Sequence, residues 1–259
     1  MTDTDSELVH LAIVTGVATI TLDSPSNRNA LSTRLRRELL AHLRRCAQDD
    51  AVRVVVLTHT GTVFCSGMDL KESRGTQASD QGVNEFPHIL QTIWQHPKPV
   101  IARVAGPARA GGIGLIAACD IAVAGARATF GFSEVRIGVV PAVISVTVLP
   151  RITPRAAQEL FLTGEVFDAA RAAEIGLLTA AVADADLDAA VAAYVNSLAK
   201  GAPLALAATK AMLTAKDQDL EGQFADKTAL SASFFASAEA QEGIQAFAEK
   251  RSAVWVPAI

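Results

Sequence analysis

Two short runs of β-branched residues, each followed by a glycine-containing segment, constrain the fold more than any other feature of this sequence. Residues 53–58 read R-V-V-V-L-T, and Val100–Val104 repeats the pattern after the breaks at Pro97 and Pro99. Continuous apolar runs of this length are typical of buried parallel strands. Because parallel strands need a crossover connection, usually a helix, the sequence predicts an α/β fold.

The flanking segments fit the same fold. Residues 9–22 alternate apolar and polar side chains around Gly16, which predicts two strands joined by a turn. Residues 32–46 carry leucines at helical spacing, and a helix over 168–175 is predicted to end at Gly176. Further helices are predicted over 115–123, 154–162, 187–198, 203–215, 222–238 and 239–249. We therefore expect an α/β core over residues 1–195 and a helical region over 196–259.

Composition excludes several classes of protein. The net charge is −4, and lysines and arginines are scattered, so a nucleic-acid-binding role has little support. The longest apolar stretch is interrupted by Asp120 and is too short to cross a membrane. The acidic N-terminus has no signal-peptide pattern. Cys46, Cys65 and Cys119 form no C-x-x-C, which favours reduced thiols in a cytoplasmic protein and no metal site.

The segment after the first strand reads C-S-G-M-D-L, from Cys65 to Leu70. A glycine among small residues lets the backbone turn sharply and present N–H groups, as a carbonyl-stabilising site requires. An ordinary βα turn would have the same sequence. Both interpretations therefore stay open at this point.

The segment after the second strand, A-R-A-G-G-I-G at 108–114, leads into an alanine-rich helix. Glycines at a helix start let a ligand approach N–H groups that lack an intrahelical partner. A rival interpretation is a dinucleotide fingerprint, since Gly112, Gly114 and Ala117 fit G-x-G-x-x-A and Glu134 follows about 20 residues later. That fingerprint normally opens the first βαβ unit, whereas here several strands come earlier.

Two acidic residues lie in apolar surroundings. Glu134 belongs to F-G-F-S-E-V-R-I-G-V-V-P, where burial would raise its pKa and suit it to exchange a proton near neutral pH. The structural alternative is a first-turn acid or a partner for Arg136. Asp120, in A-A-C-D-I-A-V, is expected to bind helix-end backbone, with catalysis as the alternative. Residues 77–86 are predicted to form a mobile loop near the site, or else a plain surface loop.

Taken together, these segments resemble the crotonase (enoyl-CoA hydratase/isomerase) family, from about residue 9 to residue 255. Matching stretches lie at 26–31 (S-N-R-N-A-L), 54–58, 64–72, 96–102, 111–124, 130–141, 162–177 and 242–251. The resemblance implies a spiral of β-β-α units followed by a C-terminal helical trimerisation region, and a homotrimer or dimer of trimers. It implies an acyl-CoA thioester substrate, with coenzyme A as part of the substrate and no other cofactor.

The resemblance also implies site residues. The backbone N–H groups of Ser66 and Gly111 would form an oxyanion hole for the thioester carbonyl, and Glu134 would be the catalytic acid. Substrate contacts would come from the loop residues Arg28, Ala30, Ser66, Gly67, Met68, Asp69 and Leu70, from Gly111 and Gly114, and from Phe247 and Lys250 reaching a neighbouring subunit's CoA.

The sequence departs from the family pattern at one acid. Typical hydratases carry two glutamates, whereas here the first position is Gly114 and only Glu134 remains. The sequence P-A-V-I-S, from Pro141 to Ser145, resembles methylglutaconyl-CoA and related branched enoyl-CoA hydratases. This favours a hydratase for short or branched enoyl-CoA. A single-glutamate isomerase and a non-catalytic acyl-CoA-binding homologue are the alternatives.

Overall fold

The computed structural model of the chain, which describes residues 7–72, 85–214 and 220–254, is built around a six-stranded sheet. Numbered in chain order, its strands are β1 (Val9–Val14), β2 (Val17–Leu22), β3 (Val54–His59), β4 (Val100–Val104), β6 (Ile121–Gly125) and β9 (Ala180–Val182). β1 and β2 form an antiparallel hairpin, and every other neighbouring pair is parallel. All six residues of β3 are buried, as expected for a strand covered on both faces.

A small second sheet positions the residues that follow it. Its strands are β5 (Ala108–Arg109), β7 (Thr129–Gly131) and β8 (Phe167–Asp168), in the order β5-β7-β8. β5 and β7 run parallel, with Arg109 opposite Gly131. Because parallel strands end at the same edge, Gly111 and Glu134, which follow these strands by two and three residues, emerge on the same side of the sheet.

Ten helices are present in the described residues. They are α1 (Thr33–Gln48), α2 (Glu85–Trp94), α3 (Gly111–Ala118), α4 (Ala142–Val148), α5 (Pro154–Thr163), α6 (Ala169–Glu174), α7 (Leu187–Ala199), α8 (Pro203–Thr214), α9 (Leu220–Phe235) and α10 (Ala238–Glu249). In α1 the Ser32 hydroxyl accepts a hydrogen bond from Leu35 N at 3.3 Å, a typical N-cap, and Leu35, Leu39 and Leu43 are fully buried.

The predicted α/β class is confirmed, as are the first hairpin, α1, β3 and β4. The prediction of one helix over 115–123 is wrong, since α3 ends at Ala118 and 121–125 is strand β6. Periodicity cannot separate a buried helix from a buried parallel strand in a continuous apolar run. Residues 77–84 of the predicted loop lie outside the described residues, and Glu85 and Phe86 begin α2 instead.

The last helix packs back onto the core of its own chain. A Cβ at Gly243 of α10 would collide with the Ile137 carbonyl, and one at Gly138 would lie 2.7 Å from the Glu239 backbone. Residues 133–137 form a 3₁₀ helix, so α10 lies directly on the turn that carries Glu134. The division at residue 195 stays a prediction. Within the described residues, no helix is long and apolar enough to cross a membrane.

Candidate active site

A cavity of about 340 Å³ lies between the two glycine segments, the 3₁₀ helix and the C-terminal helices. Most of the predicted site residues line it: Arg28, Ala30, Ser66, Met68, Asp69, Leu70, Gly111, Glu134 and Phe247. Gly67, Gly114 and Lys250 do not. The structure therefore brings the predicted donors and the predicted acid together around one space.

The backbone donors at this cavity differ from the predicted pair. Ser66 N donates to the Arg28 carbonyl oxygen at 3.1 Å, so this N–H is already used and the assignment of Ser66 as an oxyanion donor is wrong. Across the described residues, the N–H groups of Met68 and Gly111 have no protein acceptor, and both residues line the cavity. These two N–H groups, one in each glycine segment, therefore remain available to a carbonyl oxygen.

The backbone around Gly111 is held in an unusual conformation. Ala110, the residue before it, has φ 48° and ψ −118°, a region that side-chain-bearing residues rarely adopt. Hydrogen bonds on both sides hold this residue, because its N–H donates to the Gly131 carbonyl at 3.2 Å and its carbonyl accepts from Ile113 N at 2.9 Å. The strained residue thus sets the direction of the next N–H, that of Gly111.

The two donor segments approach each other closely, and this requires glycine at position 67. Gly67 has φ 91°, which favours glycine. A Cβ there would lie 3.0 Å from the Ala110 Cβ and 3.6 Å from Gly111 N. The two loops are in contact at this point, which brings the segments that carry the Met68 and Gly111 N–H groups next to each other.

Glu134 is the buried acid of the site. Burial raises the pKa of its carboxyl to about 7. Its Oε2 atom is buried and has no hydrogen-bond partner in the described structure. Arg136 pairs with Glu165 and the Thr163 carbonyl instead, so Glu134 is not neutralised by that arginine. The predicted rise in pKa is confirmed, and its cause is desolvation.

Position 114, where typical hydratases carry their first glutamate, contributes no acid here. Gly114 is buried in α3, and a Cβ there would lie 2.7 Å from Ile144 Cγ2 and 3.6 Å from Leu90 Cδ1. Gly114 does not line the cavity, because Ile144 covers it and lines the cavity in its place, and its predicted substrate contact stays a prediction.

Phe247 lines the cavity of its own chain, because α10 packs on the 3₁₀ helix of the same chain. Its predicted reach to the CoA of a neighbouring subunit stays a prediction. Lys250 follows α10 with φ 56°, away from the cavity, and its predicted CoA contact stays a prediction.

Sequence reasoning missed most of the apolar lining, which includes Phe86, Ala110, Val139, Val143, Ile144 and Phe235. Apolar residues of this kind occur throughout the chain, so no local signal distinguishes them.

Asp120 has a structural position. Its Oδ2 accepts from Val100 N and from Lys210 Nζ, each at 2.7 Å. It therefore fixes the start of β4 rather than the end of a helix, and it does not line the cavity. Asp120 does bind backbone, but the prediction that this backbone is a helix end is wrong.

Fold and site define an α/β enzyme that can hold a negative oxygen on two backbone N–H groups beside one buried acid. The sequence model of enoyl-CoA hydratase/isomerase matches residues 12–257. An enoyl-CoA hydratase from Mycobacterium avium is 46% identical, with a TM-score of 0.87 over 97% of this chain and 100% of that one. The chain belongs to the enoyl-CoA hydratase/isomerase family, within the crotonase superfamily.

Two more distant relatives agree. An enoyl-CoA hydratase structure from Mycobacterium smegmatis is 34% identical, with a TM-score of 0.79 over 96% of this chain and 99% of that one. The mitochondrial enoyl-CoA hydratase domain-containing protein 3 of Homo sapiens is 32% identical over 244 residues, 93% of this chain and 80% of that protein. The crotonase fold is therefore confirmed, and the dinucleotide interpretation of Gly112 and Gly114 is wrong.

Proposed function

We propose that this chain is an enoyl-CoA hydratase that adds water across the α,β double bond of a short or branched acyl-CoA. One observation carries the proposal. Glu134, whose Oε2 atom has no hydrogen-bond partner in the described structure, lines the same cavity as Met68 and Gly111, whose N–H groups have no protein acceptor there. The hydratases among its relatives support the same reaction class.

The proposed reaction needs one proton carrier and one oxyanion hole. The oxygen of water attacks the β-carbon while the Glu134 carboxylate accepts the proton that water loses. The electrons of the double bond move to the thioester oxygen, where Met68 N–H and Gly111 N–H bind the enolate. Each such donor contributes about 2.7–4 kcal/mol to transition-state stabilisation. Glu134 then returns the proton to the α-carbon, so the carboxylate is regenerated and the atoms of one water are added.

The pKa of Glu134 suits this double role. At a pKa of about 7, both the protonated and the ionised carboxyl are well populated near neutral pH. The proposed chemistry uses only this carboxyl, the two N–H groups and the CoA of the substrate. The apolar lining from Val143, Ile144 and Phe86 suits a short or branched hydrocarbon chain.

A specific observation favours a second candidate, an enoyl-CoA isomerase. Gly114 carries no carboxyl, and Ile144 covers it, so position 114 supplies no second glutamate to orient water. A single carboxyl can instead remove a proton from one carbon and return it to another. Both candidates use the same oxyanion hole, so an experiment must follow the products.

Products formed in heavy-oxygen water separate the candidates. The protein would be incubated with crotonyl-CoA, a β-methyl-branched enoyl-CoA and a β,γ-enoyl-CoA, and the mass and double-bond position of each product recorded. Incorporation of heavy oxygen supports the hydratase, and a moved double bond without incorporation supports the isomerase. Binding of all three thioesters without turnover would contradict both and would favour a non-catalytic acyl-CoA-binding role.

A matched pair of variants tests the acid. Glu134→Gln should abolish turnover, whereas Glu165→Gln, which changes an exposed glutamate away from the cavity, should leave it unchanged. If Glu134→Gln retains full activity, the assignment of the proton carrier is wrong. We further propose a cytoplasmic homotrimer or dimer of trimers, which light scattering in solution would test.

A further inference from the structure

Arg36 of α1 is a buried cation that the proposed chemistry does not use. Its side chain is 1% exposed, and its guanidinium donates to the Leu31 carbonyl and, at 3.2 Å, to Thr33 Oγ1. Burial lowers the pKa of Arg36, and the nearby Glu85 carboxylate opposes that change. Burying a charge is costly unless it is paired, so a buried guanidinium at this position requires a partner of opposite charge.

Glu85, the first residue of α2, supplies the opposite charge. Its Oε2 lies 3.7 Å from Arg36 Nε, and within the described residues neither atom has a hydrogen-bond partner. Its other oxygen accepts from Nε of Arg37, an exposed residue, at 3.3 Å. The Arg36–Glu85 pair therefore joins the first turn of α1 to the first turn of α2.

On the α1 side, the pair acts through Leu31, whose carbonyl Arg36 binds. Leu31 N donates to the Gly67 carbonyl at 2.8 Å, and Leu31 pairs with Met68 in a parallel bridge. The backbone of Met68, one oxyanion donor, is thus paired with Leu31, the residue whose carbonyl Arg36 binds.

Residues next to Arg36 and Glu85 also lie close to Gly111, the second oxyanion donor. A Cβ at Gly111 would lie 2.8 Å from Leu31 Cδ1 and 3.2 Å from Phe86 Cζ. Leu31 is bound by Arg36, and Phe86 directly follows Glu85 in the chain. The two side chains that lie against Gly111 therefore belong to Leu31, which Arg36 binds, and to Phe86, which follows Glu85 in α2.

We propose that Arg36 and Glu85 are positioning residues that hold the N–H groups of Met68 and Gly111 at the separation needed for one thioester oxygen. The inference rests on the proposed function, because it assumes that these two groups bind the carbonyl. Neither residue touches the substrate. They act through Leu31 and Phe86, by fixing the two helix starts that flank the donors.

Kinetics of four variants test the pair. Arg36→Met should lower kcat about tenfold and change KM less than about twofold, since the oxyanion hole binds the transition state more strongly than the substrate. Glu85→Gln should act in the same direction. Arg36→Lys, which keeps the charge, should recover part of the loss. The control is Arg37→Met, which removes the exposed partner of Glu85 and should leave kcat unchanged.

A spectroscopic readout separates positioning from simple stability. In the Glu134→Gln background, crotonyl-CoA carrying a heavy-carbon label at its carbonyl would be bound and its carbonyl stretch recorded by isotope-edited infrared spectroscopy. The oxyanion hole should lower the frequency relative to free thioester. Adding Arg36→Met should return it toward the free value, and adding Arg37→Met should not.

The outcomes are distinguishable. An unshifted carbonyl in the Glu134→Gln protein would contradict the proposed function itself. A shifted carbonyl that Arg36→Met and Glu85→Gln both leave in place, with kcat unchanged, would overturn the positioning role alone. If Arg36→Met does not fold, Glu85→Gln and Arg36→Lys carry the same test, because each retains a positive charge at position 36.

Discussion

Ile144 Cγ2 lies 2.7 Å from the point where a side chain on Gly114 would begin, so α4 and α3 are fitted to each other at this pair. Adding a methyl group in Gly114→Ala should therefore lower the free energy of unfolding by about 1–3 kcal/mol, the usual cost of overpacking. Denaturant unfolding followed by circular dichroism would measure it. An unchanged midpoint and slope would contradict this.

The same pair predicts coupling between two substitutions. Ile144→Ala alone should cost about 2–5 kcal/mol through the cavity it leaves. The double variant Gly114→Ala/Ile144→Ala should be less destabilised than the sum of the single changes by about 1 kcal/mol, because the added methyl then has room. Strict additivity in a double-mutant cycle would mean that the two residues do not share this space.

Glu134 should make the folded protein less stable as the pH rises from 4.5 to neutrality. Its folded pKa of about 7 lies above the reference value of 4.5, so the unionised form is favoured in the fold. Its contribution is fully present below pH 4.5 and is lost as pH rises to 7, by about 3 kcal/mol in all.

Glu134→Gln cannot ionise and should avoid that loss. Its stability relative to the unmodified protein should increase between pH 4.5 and 7.5, measured as denaturation midpoints across this range. Glu165→Gln is the control and should follow the unmodified protein. Parallel curves for Glu134→Gln and the unmodified protein would show that the carboxyl is not buried in solution.

The His96 imidazole should lower the stability of the folded protein in acidic solution. Burial lowers its pKa from 6.5 to about 4, and the Lys210 ammonium adds to that effect. Because the unfolded chain binds this proton first, stability is present above pH 6.5 and falls by about 3 kcal/mol on acidification to pH 4. His96→Gln should show a smaller loss over this interval. An equally steep loss in the variant would assign the acid sensitivity to other groups.

The ion pair between Lys210 and Asp120 should contribute to the stability of the fold and not to catalysis. Lys210 is 8% exposed and also donates to the carbonyls of Ile93 and Lys98. Lys210→Met removes the ammonium beside the half-buried Asp120 carboxylate, which keeps its hydrogen bond from Val100 N, and should cost up to about 3 kcal/mol. Thermal unfolding would measure this, and the double variant Lys210→Met/Asp120→Asn should recover part of it. A kcat that falls in the folded Asp120→Asn variant would instead support a catalytic role for Asp120.

Local patterns predicted the elements whose signal lies within one segment. Strand β3 and helix α1 could be predicted because their apolar spacing and flanking residues are characteristic. The strands β5, β7 and β8 could not, since two or three residues carry no periodicity. The prediction of a helix over residues 115–123 was wrong for a related reason, because one apolar run contains the end of a helix and most of a strand.

The candidate site shows a similar division. The raised pKa of Glu134 could be predicted because its neighbours in the chain are mostly apolar. The donor in the first glycine segment could not, because the Arg28 carbonyl, nearly forty residues earlier, uses the Ser66 N–H and leaves that of Met68. The size match of Gly114 and Ile144 likewise depends on helices that are distant in sequence.

Gly138 lies against the backbone of α10, and Gly243 of α10 lies against the backbone of the 3₁₀ helix. This close packing has a consequence for how the gene can change. The turn that carries Glu134 packs on a helix encoded more than a hundred codons downstream, so a frameshift that altered this helix would remove the backbone against which the turn lies. Recombination that exchanged the last helix would have to bring its own glycine with it. We therefore expect the turn and the tail to evolve as one unit.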